Sequence, residues 1–482
     1  MLNTENENDM KRSTYKYYQI KIKLFLKDIS DAIKGTEADY TSISLRKALI
    51  LLSIPMVLEM SMESIFTIVD IYFVSKLGSD ATSIVGLTES LLTFVYAFGI
   101  GFAISATAIV SRRTGEKKPR KAANAAFQAI LMASVISLLI SLVGILFSKD
   151  LLSLMGASID AIDKPGGYTK LMLGGNITIM FLFILNGIFR GAGDAAIALR
   201  VLCISNLINI VLDPLLIFGI GPFHEFGILG AAIATNIGRG IGVIIQLYTL
   251  FFGSNRIRLY LQDLIPDLKQ IGSFIKLSSA GIFQLLIGTT SWVAMVRIIS
   301  EFGSIAVAGY TIGIRIIIFA LLPSSGLSNA AATLVGQNLG AGKPKQAEQS
   351  VWSTGIANAI FLGIIGLILV IWPEPVIKLF VQQADVVGKS VECLRIISIG
   401  FIAYGFGRVL VQSLNGAGDT LTPMFINIFC YWLFEIPLAY LLAMRFGMQE
   451  RGVYYAIVIA ETTSTITALI FFIRGKWKLK KV

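Results

Sequence analysis

The sequence predicts an all-α polytopic membrane protein whose twelve transmembrane helices form two parallel six-helix lobes. Three observations lead there. A chain of 482 residues with 55% hydrophobic and 15% charged side chains and a mean hydropathy of +0.74 is too apolar for a soluble domain. Apolar stretches near the ~20 residues that cross ~30 Å of hydrocarbon recur twelve times. The chain also repeats itself: "RGAGD" stands at 190–194 and "NGAGD" at 415–419, an offset of 225. The same offset of 225 relates Gly115 and Pro119 of "TGEKKPRKA" to Gly340 and Pro344 of "LGAGKPKQA", and Gly78 to Gly303. "GILGAAIA" from Gly227 and "GVYYAIVIA" from Gly452 extend the register almost to the C-terminus. Such a period marks a duplicated unit.

Residues 1–46 are polar and charged and show no cleavable signal pattern. Within them, "YKYYQIKIKLFLKDI" can lie as an interfacial helix or stay without fixed structure. The N-lobe, 47–252, holds apolar segments at 47–73, 82–110, 122–147, 169–190, 196–219 and 228–252. A cytoplasmic linker, 253–269, leads to the C-lobe, 270–474. Its segments are 270–298, 307–335, 347–371, 391–413, 423–444 and 453–474, followed by a basic tail, 475–482. Because six is even, both halves start on the same face, and their axis of symmetry runs along the membrane normal. Basic residues cluster before the first segment (Lys11, Arg12, Lys16, Lys21, Lys23, Lys27, Lys34, Arg46, Lys47), between the second and third (Arg112, Arg113, Lys117, Lys118, Arg120, Lys121) and in the tail. The opposite loops hold few, such as Lys76, Lys149 and Lys164. The positive-inside rule then puts both termini in the cytoplasm, and a multi-pass location in the plasma (inner) membrane is expected. The net charge of +11 reflects this topology and attraction to anionic lipid, not nucleic-acid binding.

Several chemistries are excluded. Cys203, Cys393 and Cys430 lie in apolar segments without paired spacing, and His224 is alone, which argues against disulfides and against zinc or haem. "GQNLGAGKP" fails as a phosphate loop, because Pro344 follows Lys343 where Ser or Thr is needed. "GIGFA" and "GRGIG" fit close helix packing. No nucleophile and base pair stands out, so an enzyme is not expected. The repeated "GAGD" fits a tight turn that needs positive φ, with Asp194 and Asp419 capping the next helix.

Ionisable groups at bilayer depth cost roughly 2.5 to 3.5 kcal/mol on insertion scales and so call for a reason. In the first segment Glu59, Glu63 and Asp70 are spaced by four and then seven residues. At ~100° per residue these offsets rotate by only ~40° and ~20°, so the three share one stripe, which must face an aqueous cavity. Segment five adds Asn206, Asn209 and Asp213 on one face, with Pro214 freeing a backbone carbonyl. Asp70 is six residues from Lys76, and Asp213 is six from Gly219. Both therefore lie ~9 Å inside the outer boundary, and Thr235 of segment six lies at ~12 Å. Two carboxylates, an amide and a hydroxyl at one depth make a proton site or a site for a hard cation. In the second half an offset of 225 gives Gln284, Gly288 and Met295, none of which ionises. Coupling chemistry is therefore expected in the N-lobe. Glu435 is the nearest C-lobe counterpart of Asp213, and Arg297, Arg315 and Arg408 are candidate partners for carboxylates.

Together the two parallel six-segment halves, "RGAGD" and "NGAGD", "LVGQNLGAGKP" and "GAAIAT" resemble the multidrug and toxic compound extrusion (MATE) family over about residues 45 to 475. The resemblance implies the MATE fold and export of amphipathic, often cationic, compounds by antiport against Na⁺ or H⁺. It implies no cofactor beyond that ion, and no partner beyond small-molecule substrates and membrane lipid; a monomer is expected. Asp70 and "NIVLDP" are similar to the DinF-like branch, whose N-lobe cation site maps to Asp70, Asn209, Asp213 and Thr235, with Asn186 as a further polar member. The same four residues would hold Na⁺ if Na⁺ is the coupling ion. Glu59, Glu63 and Gln284 are expected to line the substrate cavity. The NorM-like branch places acids in helices seven and ten, where this chain has Gln284 and no Asp or Glu in 396 to 413. The alternative within the superfamily is a lipid-linked oligosaccharide flippase, which a long cationic cavity would favour. A channel or receptor would show no dependence on an ion gradient.

Overall fold

In hydrocarbon each backbone polar group must be satisfied by the protein itself, and continuous apolar stretches of this length do so as helices rather than as the short alternating strands of a closed barrel. The computed structural model describes residues 21, 23–36, 38–156, 167–253, 256–260, 262, 264–480 and 482, and contains no strand among them. Lys11, Arg12, Lys16 and Lys164, and the first part of the 15–29 stretch, lie outside the described residues. Residues 23–34 are helical.

The N-lobe comprises α1 (Leu45–Ser75), α2 (Ser79–Gly115), α3 (Pro119–Leu154), α4 (Tyr168–Gly174 and Asn176–Ala192), α5 (Ala195–Phe218) and α6 (Ile228–Phe252). The C-lobe comprises α7 (Leu268–Ser300), α8 (Ser304–Gly340), α9 (Pro344–Ile371), α10 (Ala384–Ser398 and Phe401–Gly416), α11 (Leu421–Arg445) and α12 (Glu450–Ile473). Eleven of these are single spans and α10 is bent by 56° at its break. The apolar segment at 391–413 covers only part of α10. Its first piece carries Asp385, Lys389, Glu392 and Arg395 on one side, an amphipathic pattern that a search for uniform hydropathy passes over. In α4 the break falls at Gly175, and the loosened backbone is held by Ser141, which donates to the Gly174 carbonyl at 2.7 Å, and by Asn176, which donates to the Leu173 carbonyl at 2.6 Å.

The duplication is visible in the backbone. Helices α2 and α8 each have 37 residues, and both ends are offset by 225. Gly193 and Gly418 hold the left-handed turn, with φ of 89° and 84°. The first glycine of each "GAG" instead lets helices cross: a Cβ on Gly191 would lie 3.0 Å from the Thr107 carbonyl, and one on Gly416 2.3 Å from that of Ala332. The aspartates do not cap as expected. Asp194 stands before α5 without a side-chain cap bond, and Asp419 accepts from the Thr422 hydroxyl at 2.9 Å and pairs with Lys480 at 3.1 Å. The register also slips by three over the last helix. Gly227, with φ 56° before α6, corresponds to Gln449, with φ 54° before α12, and Gly230 corresponds to Gly452. A Cβ on either of that second pair would meet the backbone of the preceding helix, at 2.4 and 2.6 Å.

The lobes meet on the face that carries the basic turns. Ala48, Leu51, Leu52 and Met56 of α1 pack with Ala330 and Leu334 of α8. Gly115 and Gly340 allow contact so close that an added Cβ would fall 2.0 and 2.2 Å from a backbone oxygen of the opposite lobe. Polar contacts complete this seal. Gln337 donates to the Gly191 carbonyl at 3.0 Å, Arg112 to Ala417 at 3.2 Å, and Tyr40 and Lys343 brace the 38–41 segment between the lobes.

Candidate functional site

The lobes enclose a central cleft on the other side of that seal. One cavity of about 270 Å³ is lined by Glu59, Glu63, Asn186, Arg190, Arg239 and Arg408 among others. A second, of about 480 Å³, is lined by Gln284, Trp292, Tyr404, Tyr431, Glu435 and Glu461 among others. Ile100, Ile104, Arg408 and Gln412 belong to both walls, so the two cavities adjoin at Arg408. The stripe on α1 does face the cleft at Glu59 and Glu63.

The N-lobe residues singled out from the sequence fall into two clusters. Asp213, fully buried on α5, accepts the Asn209 amide at 3.3 Å, and that amide also reaches the Thr235 hydroxyl at 3.2 Å. Their spacing of four on one helix places Asn209 and Asp213 on a common face, and α6 brings Thr235 against it. Asp213 Oδ2 and Asn209 Oδ1 are buried and have no hydrogen-bond partner among the described residues. Half-buried Asp70 lies within electrostatic reach of Asp213. Asn206 donates to the Met62 carbonyl at 3.3 Å, tying this face of α5 to α1. Carboxylate, amide and hydroxyl oxygens form the donor set of a hard cation. No group of three or more His, Cys, Asp or Glu able to hold a metal occurs among the described residues.

Asn186 belongs to the second cluster. It donates to Glu59 Oε1 at 3.1 Å and accepts from Gln246 at 2.5 Å, while Arg190 pairs with the same Glu59 oxygen at 3.5 Å. Glu59 is 1% exposed and Arg190 8%, so desolvation leaves the pair dependent on each other. Between the clusters stands Arg239 on α6, within electrostatic reach of Glu63, Asp70, Glu89 and Tyr96 and 5.6 Å from the Phe66 ring.

In the C-lobe, Gln284 and Asn415 exchange two amide hydrogen bonds, both 3.1 Å. Glu435 accepts from Ser291 at 2.8 Å, and Glu461 from the Tyr431 hydroxyl at 3.3 Å. Arg297 pairs with Glu301 at an exposed helix end, Arg315 is exposed, and Arg408 alone of the three lines the cleft. The sequence pattern does not single out Arg190, Arg239, Gln246, Glu89 or Glu461. Arg239 sat within "GRGIG", read for its glycines, and Arg190 within the "RGAGD" turn. The rule that flagged Glu59, an ionisable group inside an apolar run, also applies to Glu89, Arg239 and Glu461.

A two-lobed helical bundle with a polar, charge-lined cleft sealed on one face is the architecture of a membrane transporter. A family model described as MatE matches residues 55–215 and 281–441, more than half of the chain and both halves of the duplication. The chain belongs to the MatE family of membrane transporters. It is 26% identical over 442 residues to the probable multidrug resistance protein NorM of Thermotoga maritima, covering 91% of this chain and 94% of that one. It is 24% identical over 434 residues to the multidrug export protein MepA of Staphylococcus aureus, covering 88% and 92%. Its fold matches a multidrug resistance MATE family transporter of the MOP superfamily, described in an outward-facing conformation, with a TM-score of 0.86 at 23% identity over 92% and 100% of the two chains.

Proposed function

We propose that the protein exports amphipathic organic compounds, cations among them, in exchange for H⁺ or Na⁺ by alternating access, as a monomer in the inner membrane with both termini cytoplasmic. The observation that carries this is Asp213. It is a buried carboxylate with one oxygen on Asn209, the other unpartnered among the described residues, and Asp70 nearby. Two carboxylates in a poorly hydrated lobe favour uptake of a cation over joint ionisation. A ligand shifts a conformational equilibrium only through differential affinity for its states. The Asn206 bond to Met62 ties the helix that carries Asp213 to α1, whose Glu59 and Glu63 face the cleft, and so couples a repacking of α5 to α1.

The relatives named for multidrug resistance and export support drugs as cargo. A lipid-linked oligosaccharide flippase would call for a cationic cavity, whereas Glu59 and Glu63 stand here beside the arginines. The test is efflux of a fluorescent amphipathic cation from proteoliposomes with Na⁺ and H⁺ gradients imposed separately. Efflux under one gradient is expected, and indifference to both would reject antiport.

A further inference from the structure

The cleft is not uniformly acidic. On the first-cavity side its arginines stand among acids: Arg190 is paired with Glu59, and Arg239, whose buried Nη1 has no hydrogen-bond partner among the described residues, lies within electrostatic reach of Glu63, Asp70 and Glu89. Arg408 differs. It is exposed on α10 at the seam of the two cavities, and no hydrogen bond or ion pair within 4.0 Å holds its guanidinium among the described residues. Glu461 is within electrostatic reach of it but takes the Tyr431 hydroxyl. Gln412, one turn on along the same helix face, is fixed by neighbouring amides. It donates to Asn329 at 2.9 Å and accepts from Asn415 at 2.7 Å. That leaves the exposed Arg408 guanidinium, with its planar fork of donors and a single acid in reach, open to meet a solute at the seam. Tyr404, Tyr431 and Trp292 supply aromatic walls on one side of it, and Glu63 faces the cleft on the other.

We propose that Arg408 is the anion-recognition point of the cleft, a guanidinium that receives the carboxylate of a cargo molecule whose cationic end then lies toward Glu63. This rests on the exporter assignment and names a residue that sets selectivity at its site. A guanidinium takes a carboxylate through two parallel hydrogen bonds, a geometry an ammonium cannot copy. The apolar and aromatic side chains that share the walls strengthen the attraction relative to bulk water.

A matched pair of dyes tests it. Rhodamine B carries a xanthylium cation and a free carboxylate; its ethyl ester keeps the cation and caps the carboxylate. Binding of both to the full-length protein in detergent is read by fluorescence anisotropy. Arg408→Gln is expected to lower the affinity for rhodamine B relative to the ester by about tenfold or more, the scale of a lost charge-assisted bidentate contact. Arg408→Lys is expected to recover only part of that ratio, while Glu63→Gln weakens both dyes and leaves it near its wild-type value. A ratio unmoved by Arg408→Gln, or no binding of rhodamine B by the wild type, overturns the proposal. The melting temperature of each variant separates loss of fold from loss of recognition. Binding that depends on Arg408 without gradient-driven export would spare the proposal and sink antiport. Export of the ester with an unmoved ratio would do the reverse.

Discussion

The N-lobe and C-lobe share a scaffold and differ in charge, and the clearest comparison is one pair of side chains. Glu59 and Arg190 form a buried ion pair; 225 residues on, the same two places hold Gln284 and Asn415, which exchange amide hydrogen bonds. The duplicated backbone therefore carries a polar bridge between the first and fourth helices of each lobe. It accepts an ionic or a neutral version. A second pair inverts sign: in the slipped register of the last helix, offset by 222, Arg239 of α6 corresponds to Glu461 of α12. The N-lobe gathers acids around its arginine, while the C-lobe sets its acid near Arg408. The proposed ion coupling is assigned to the N-lobe because Asp70 and Asp213 have no ionisable counterparts at the repeat offset of 225, where Met295 and Leu438 stand.

The largest expected effect comes from breaking the ionic bridge by halves. Glu59→Gln or Arg190→Asn alone leaves one buried charge unpaired and is expected to cost about 3–5 kcal/mol, seen as a fall in melting temperature. The double variant writes the C-lobe bridge into the N-lobe and should recover most of that loss. If the double were as unstable as the sum of the singles, the two bridges would not be equivalent.

The "GAGD" turns give the next contrast. Gly416→Ala should be more damaging than Gly191→Ala, because the new Cβ meets a carbonyl at 2.3 Å in one case and 3.0 Å in the other. Overpacking of this kind typically costs about 1–3 kcal/mol, and equal losses in melting temperature would remove the distinction. On the transport side, Glu63→Gln should reduce export of cationic compounds about tenfold more than that of neutral ones, through lost attraction in the cleft. Equal reductions would leave Glu63 a structural role. The smallest effect should come from Arg297→Gln. Its pair with Glu301 is solvent-exposed, at 74% and 50%, and such pairs contribute little. A clear drop in melting temperature or export would contradict that.

Much of this was legible in the residues themselves. Period and hydropathy give the two six-helix lobes, because continuous apolar runs of about 20 residues satisfy their backbone in lipid as helices and lack the alternation of barrel strands. Asn209, Asp213 and Thr235 could be grouped from helix spacing and depth alone. Asn186 could not be assigned between clusters, since joining Glu59 rather than Asp213 depends on how α4 turns against α1 and α6. Arg190 and Arg239 were masked by the glycines around them. The start of α10 was hidden by its amphipathic pattern, and the slip before α12 by Gln449, which holds a backbone conformation that its counterpart Gly227 adopts more easily.

The central claim is that Asp70 and Asp213 act as one coupling unit in the N-lobe. It is tested by gradient-driven efflux from proteoliposomes, measured beside equilibrium dye binding, for Asp70→Asn, Asp213→Asn and the double variant. Each single variant is predicted to abolish efflux while retaining dye binding, and the double to be little worse than either, as for groups that work together. Near-wild-type export by either single variant would contradict it and shift the search for the coupling group to Glu59, Glu63 and Glu435.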